Sequence, residues 1–218
     1  MACALCETRK EKRFCPAVHG RICALCCGTE REATLDCPSA CPYLQQARRQ
    51  ERPRDWSELE PAAGFTQVTV SEDAPYRLES LISGLAYAIF AAAGRDRGLR
   101  DRDIIAILAA LAKSYETLVN SNLMYEEANA NPAQQAISAE FRKVVAEHRE
   151  RERKQLGYTA LRDADVLQAV VVVLRLALAR SSGRRYARGF LDFAASWFPE
   201  KDSVLAGPQE PVSRLIVP

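Results

Sequence analysis

All eight cysteines of this 218-residue chain precede residue 42: Cys3, Cys6, Cys15, Cys23, Cys26, Cys27, Cys37 and Cys41. Some forty residues cannot bury enough apolar surface to fold on a hydrophobic core alone, so a segment this rich in thiols must be held together by sulfur. Disulfides or metal ions are the two ways to do so. The chain opens MACALCETRKEKR, with no apolar stretch suited to a secretory signal. A protein that stays in the cytoplasm keeps its thiols reduced, and closely spaced cysteines are then metal ligands rather than disulfide partners.

The spacing supports that choice. Cys3-Ala-Leu-Cys6 returns as Cys23-Ala-Leu-Cys26, and Cys15-Pro-Ala-Val-His19 is echoed by Cys37-Pro-Ser-Ala-Cys41. In C-x2-C a tight turn brings two thiolates onto one tetrahedral ion, where zinc–sulfur bonds of about 2.3 Å leave little tolerance. In C-P-x2-C the ligands stand four apart, on one side of a helical turn, and Pro38 and Pro42 suit a helix start. Four pairs predict two structural zinc ions per chain, held by Cys3, Cys6, Cys15, His19, Cys23, Cys26, Cys37 and Cys41. Cys27 competes with His19 for the eighth place: the parallel with Cys37 and Cys41 favours His19, and the affinity of thiolate for zinc favours Cys27. Ordinary buried cysteines and an iron–sulfur cluster are the competing readings of the same residues.

The four-pair order resembles the cross-braced zinc modules of the B-box and RING type, which implies that the first and third pairs share one metal and the second and fourth the other. The strings CPAVHGRICALCCG and CPSACPYL also look similar to the N-terminal segment of uncharacterised bacterial proteins, a resemblance that implies metal binding and no particular function. The first covers only residues 3–41, and the second only these two strings within 15–44.

After the cysteines the pattern changes. Residues 1–54 form the expected zinc module and end in the basic run RRQERPR; residues 55–74, with Pro, Gly and acids, read as a linker that holds at most one strand at 65–70. From residue 75 apolar side chains recur every three or four positions, predicting a bundle of about five helices over 75–200 in a mostly α protein, with 201–218 as a tail. Leu78, Leu81, Ile82, Leu85 and Ile89 line the first helix; Ile104, Ile107, Leu108, Leu111, Tyr115 and Leu118 the second; Ile137, Phe141, Val144 and Val145 the third. The fourth, at 163–180, is apolar almost all round, and its four consecutive valines would also suit a strand. A last amphipathic helix is expected at 184–197. Leu99-Arg-Asp-Arg-Asp103 matches Leu161-Arg-Asp-Ala-Asp165, either as a repeated helical hairpin or as a shared helix start with Asp capping the first turn.

No catalytic set emerges: Glu126 with Glu127 and Asp101 with Asp103 lack a His or nucleophile, and His148 is isolated on its helix. A net charge of +2 provides no strong field for nucleic acid or anionic lipid. The longest apolar run, 166–179, is broken by Arg175 and is short for a bilayer span. The expectation is a cytoplasmic, non-enzymatic adaptor or regulator whose partner is a protein or a second copy of the chain, with no membrane association. Two alternatives stand beside it: a nucleic-acid-binding regulator working through Arg9, Lys10, Lys12, Arg13, Arg21, Arg31, Arg48, Arg49, Arg52 and Arg54, and a thiol-based redox sensor that releases zinc on oxidation.

Overall fold

A computed structural model describes residues 1–53, 68–123 and 132–198. The N-terminal part opens with a small antiparallel hairpin, β1 (Arg13–Cys15) and β2 (Gly20–Ile22), registered so that Arg13 faces Ile22 and Cys15 faces Gly20. Two helices follow, α1 (Ala24–Glu30) and α2 (Pro42–Gln50). Proline at the first position of α2 needs no hydrogen-bond acceptor there, and Gln45 N–H closes the first turn on the Cys41 carbonyl at 3.0 Å. The segment before the hairpin lies along it, with Ala4 N–H bonding Arg21 O at 2.9 Å and Cys3 N–H bonding Arg9 O at 2.8 Å.

The rest is helical: α3 (Ala74–Arg77), α4 (Glu79–Arg95), α5 (Asp101–Ser121), α6 (Pro132–Leu156), α7 (Asp163–Arg180) and α8 (Gly189–Ala195). Helices α5 and α7 form the most extensive pair, and α4 lies against α6, α7 and α8. Leu85, Ile89, Ile104, Ile107, Leu108, Phe141, Val166 and Phe190 are shut away from solvent between them. Helix α5 is long and apolar enough to cross a membrane by composition. Its buried stripe of Ile104, Ile107, Leu108 and Leu111 instead packs into the bundle, while Arg102 and Lys113 face outward.

Eight helices among the described residues replace the expected count of about five. Two of them belong to the cysteine-rich part, and the first bundle helix is divided at Leu78, which ends α3 and precedes α4. The valine run of 170–173 is helical, buried on every side by its neighbours. No strand occurs at 68–70; residues 55–67 of the expected linker, including 65–67 of the expected strand, lie outside the described residues, as do Met124, Glu126, Glu127 and the 201–218 tail. Val68 and Val70 pack against the bundle core.

The last helix is shorter than the 184–197 periodicity predicts. Its start is set by tertiary contact: Asp101, fully buried at the head of α5, accepts the N–H groups of Phe190 and Leu191 at 3.1 Å each. Burial pushes the Asp101 carboxyl above its ordinary range despite these two donors. A side chain at Gly189 would meet the Arg180 carbonyl oxygen at 2.5 Å, so only glycine allows this close approach. The aromatic residues at and after this helix are turned partly inward. Phe190 is buried, Phe198 stacks among Tyr87 and Phe90, and Trp197 sits edge-on to Phe193.

The paired LRDxD strings are two copies of one helix start. Asp103 accepts Arg100 N–H at 2.9 Å and Asp165 accepts Arg162 N–H at 3.1 Å, each carboxylate closing the first turn of its helix. The copies then diverge: Asp101 reaches α8, whereas Asp163 pairs with Arg149 at 2.5 Å.

The cysteine-rich part and the bundle have separate apolar clusters joined by a polar seam. Glu32, 4% exposed, is its centre. The carboxylate binds Arg48 Nη2 at 2.6 Å and accepts the Ser182 hydroxyl at 3.1 Å; the carbonyl accepts Tyr186 N–H at 2.8 Å. Arg48 also grips Asp192, which accepts the Ser39 hydroxyl at 2.9 Å. Asp36 pairs with Arg100 at 2.6 Å, and Arg184 caps α1 by donating to the Arg31 and Gly28 carbonyls.

Candidate metal centre

The sulfurs of Cys3, Cys6, Cys23 and Cys26 all lie within 4.8 Å of one another. Two turns and one hairpin bring them together. The Cys3–Cys6 turn is closed by Glu7 N–H on the Cys3 carbonyl at 2.8 Å, with Glu7 in the left-handed region at φ 55°. Cys23 follows β2 directly and is the N-cap of α1, its sulfur accepting Cys26 N–H at 3.4 Å. The sulfur of Cys3 accepts Cys23 N–H at 3.1 Å, tying the two turns to each other. Amide-to-sulfur bonds of this kind stabilise thiolate charge and orient the ligands.

Four sulfurs bound to one zinc at about 2.3 Å stand about 3.8 Å apart along the tetrahedron's edges. The observed spread lies within a small contraction of that arrangement, and all eight thiols are free. Their surroundings set Cys3, Cys6 and Cys26 apart electrically. The Thr8 hydroxyl and the backbone N–H groups of Arg9 and Thr8 bring Cys6 down to about 5. Hydrogen bonding to Cys23 and burial push Cys26 up to about 12. Burial opposes ionisation of Cys3, but the amides of Cys6, Cys23 and Leu5 lower it overall. So close a set cannot hold several negative charges without a cation, and a divalent ion removes that conflict. Arg9, beside Cys23 and Cys6, supplies part of the countercharge.

This group joins the first and third cysteine pairs, the order that the cross-braced resemblance implied. Comparison with protein-family models, with curated proteins and with solved structures gave no match. The B-box and RING likeness and the bacterial one are therefore without support from any relative, and the arrangement stands on its own chemistry.

The other expected ligands lie elsewhere in the module. Cys15 is buried at the end of β1, Cys37 precedes α2, and Cys41 is its N-cap. These three and Cys27 line one cavity; His19 does not. His19 is exposed and adopts φ 49°, closing the turn between β1 and β2 immediately before Gly20. Burial raises the Cys37 thiol, and the neighbouring Cys15 and Cys41 add to the effect. His148 is half-buried beside Glu152, 3.7 Å away, with burial lowering its pKa.

Sequence reasoning passed over the seam. Glu32, Arg48 and Asp192 are common charged residues with no motif, and nothing in their spacing signals that they meet. The one available hint was Glu32 among the dense charges of GTEREATLDCP, between two sets of ligands.

Proposed function

We propose that this protein is a non-enzymatic, zinc-stapled interaction protein of the cytoplasm, in which Cys3, Cys6, Cys23 and Cys26 hold a closed structural zinc ion and the module presents a surface to a protein partner. The observation that carries the reading is the gathering of four sulfurs within 4.8 Å, joined by no His or carboxylate among the described residues and with amide donors already bonded to two of them. A full set of thiolates leaves no open coordination position for water or substrate, which suits scaffolding rather than catalysis. The metal stabilises a module whose fully apolar aliphatic core is only Ile22, Leu35 and Leu44.

The partner-facing surface is suggested by the metal turns themselves. Leu5 and Leu25 occupy the same place in the two Cys-Ala-Leu-Cys turns and are 39% and 53% exposed. Phe14 on β1 is exposed as well. Large apolar side chains held rigidly at the surface are typical of contact residues. Four of the ten basic residues that favoured nucleic acid are engaged within the protein. Arg13 lies over Tyr43, Arg21 pairs with Glu11, Arg31 approaches Glu51, and Arg48 belongs to the seam.

The test is metal analysis of the purified full chain, with a Cys6→Ser variant, followed by nucleic-acid titration near 0.15 M salt. Zinc in the colourless wild type, its partial loss in the variant and only weak, salt-sensitive nucleic-acid binding are expected. Iron with visible absorbance, or tight and sequence-dependent binding of nucleic acid, overturns the reading. A redox-sensing role has one observation in its favour: Cys6 alone of the eight thiols is partly exposed, making it the entry point for an oxidant. Zinc release from the wild type on mild peroxide, reversed by reductant and accompanied by oxidation of Cys6 ahead of the other thiols, would distinguish that second reading.

A further inference from the structure

Helix α1 carries Cys26 and Cys27 in succession, and neighbouring positions on a helix point about 100° apart. With Cys26 turned to the first sulfur group, Cys27 is directed away from it. It lines a cavity of about 10 Å³ with Cys15, Cys37 and Cys41, closed on the apolar side by Ile22 and Leu44. All four cysteines are 9% exposed or less. Three structural elements and one connecting segment thus deliver buried thiols to a single space about the size of one water molecule.

We propose that Cys15, Cys27, Cys37 and Cys41 form a second tetrathiolate site for a divalent ion of the zinc type, so that each chain holds two ions and His19 binds neither. The proposal rests on the reading of the module as metal-stapled, and adds the site's ligands and its structural consequence.

The backbone shows why the second site takes Cys27. In an antiparallel hairpin, alternate residues share a face, so Cys15 lies on the same side of β1 as Arg13. Arg13 Nη1 donates to the Cys27 sulfur at 3.6 Å, which puts Cys15 and Cys27 on one side of the hairpin. Cys37 and Cys41 flank a turn closed by Cys41 N–H on the Pro38 carbonyl at 2.8 Å, and both reach the same cavity. His19 is at the far end of the hairpin, where the left-handed turn leaves its ring in solvent.

Charge agrees with an anionic centre here. A divalent ion with four thiolates carries two net negative charges, and two arginines line this cavity. Arg13 already addresses Cys27; Arg31 has its Nε buried with no acceptor among the described residues. A buried N–H without a partner is costly, and a thiolate of the loaded site would satisfy it. The four sulfurs are not drawn as tightly together as the first group. A single χ1 change moves a cysteine sulfur by about 3 Å, so closing on an ion requires side-chain rotation rather than a new fold.

The consequence reaches the seam. Glu32, Asp36 and Ser39, which contact the bundle, lie on the segment that Cys27, Cys37 and Cys41 would fasten, and Arg48 lies on α2, which starts directly after Cys41. An ion in the second site therefore holds the docking segment in shape, while the first fastens the N-terminal turns.

The experiment measures bound metal in the full chain after reconstitution with zinc alone, and the thiolate-to-metal charge-transfer absorbance after reconstitution with cobalt(II) alone. Two ions per chain are expected for the wild type and for His19→Ala, and one for Cys27→Ala with about half the charge-transfer intensity. Cys27→His, which restores a ligand, is expected to recover the second ion with a shifted cobalt spectrum, a result that mere damage to the fold would not give. Cys6→Ser should keep one ion, at the second site. Retention of two ions by Cys27→Ala, or loss of one by His19→Ala, overturns the proposal. One ion in the wild type, absent in Cys6→Ser and retained in Cys27→Ala, overturns it while leaving the first site standing; no ion in the wild type removes both.

Discussion

Removing Arg48 tests whether the polar seam binds the cysteine-rich module to the bundle. The guanidinium is 20% exposed and contacts two carboxylates, Glu32 at 5% exposed and Asp192 at 29%. Taking one partner from a fully buried ion pair costs about 3–5 kcal/mol, because the remaining charge is left without compensation. Solvent reaches Arg48 and Asp192, so about half of that is expected here, near 2 kcal/mol for Arg48→Met. With a urea m-value of about 2 kcal/mol/M, the unfolding midpoint of the zinc-loaded protein should fall by about 1 M. Circular dichroism of the helices reads this directly. A double-mutant cycle of Glu32→Gln with Arg48→Met should return a coupling of about 1–2 kcal/mol.

The backbone at Glu32 allows a sharper check. Its φ of 55° is a left-handed conformation that costs a side-chain-bearing residue about 1–2 kcal/mol. Glu32→Ala loses the ion pair and keeps that strain, whereas Glu32→Gly loses the pair and relieves it. Glycine should therefore be the milder substitution by about 1 kcal/mol, despite its greater freedom in the unfolded chain. A coupling energy below about 0.5 kcal/mol, together with alanine no worse than glycine, would refute the seam as a stabilising contact.

Gly189→Ala should destabilise by about 2 kcal/mol or more through its clash with the Arg180 carbonyl, while Gly94→Ala, exposed in the last turn of α4 with nothing within 4 Å, should stabilise by about 0.5–1 kcal/mol; thermal unfolding of both decides, and equal effects would refute the close approach. Burial raises the Asp165 carboxyl, but Arg77 at 2.8 Å and the Arg162 amide bring it below its ordinary value. Its contribution is then present above the unfolded value near pH 3.9 and is lost as pH falls through the lower folded value, so Asp165→Asn should flatten the acid limb of stability; an unchanged limb counts against the pair. Leu5→Glu with Leu25→Glu should leave zinc content and melting within about 0.5 kcal/mol of wild type, since both side chains are already in solvent, and a larger loss would show that they serve the fold rather than a partner.

Much of the bundle was legible because a buried helical face needs apolar residues at fixed intervals. Leu81, Ile82, Leu85 and Ile89 on α4 and Ile104, Ile107, Leu108 and Leu111 on α5 are buried as their spacing predicts. What periodicity could not supply was where helices stop for reasons outside themselves. Helix α8 begins at Gly189 because Asp101, 88 positions earlier, waits there for its first amides and because Arg180 leaves no room for a Cβ. Residues 184–188 share the helical pattern but are drawn off to meet Glu32 and the carbonyls of α1. Such competition between a local preference and a distant partner leaves little trace in a window of sequence.

The cysteines show the same division more sharply. The gathering of the first and third pairs was readable because C-x2-C determines its own turn, and two such turns bring four thiols together. The second and fourth segments, C-P-x2-H and C-P-x2-C, look like copies, but identical spacing does not impose identical backbone. Cys15 ends a strand, so the next four residues make a hairpin turn that carries His19 away from the cavity; Cys37 and Cys41 precede a helix, so the same interval forms a compact turn. Cys27 looked redundant beside Cys26 because adjacency in sequence suggests one destination. On a helix adjacency means divergence, and a single α1 can serve two centres with neighbouring residues. The doublet Cys26-Cys27 thus makes α1 the element common to both proposed sites, so a change that unwinds it, such as Gly28→Pro, should release both ions together where loss of either cysteine alone releases one.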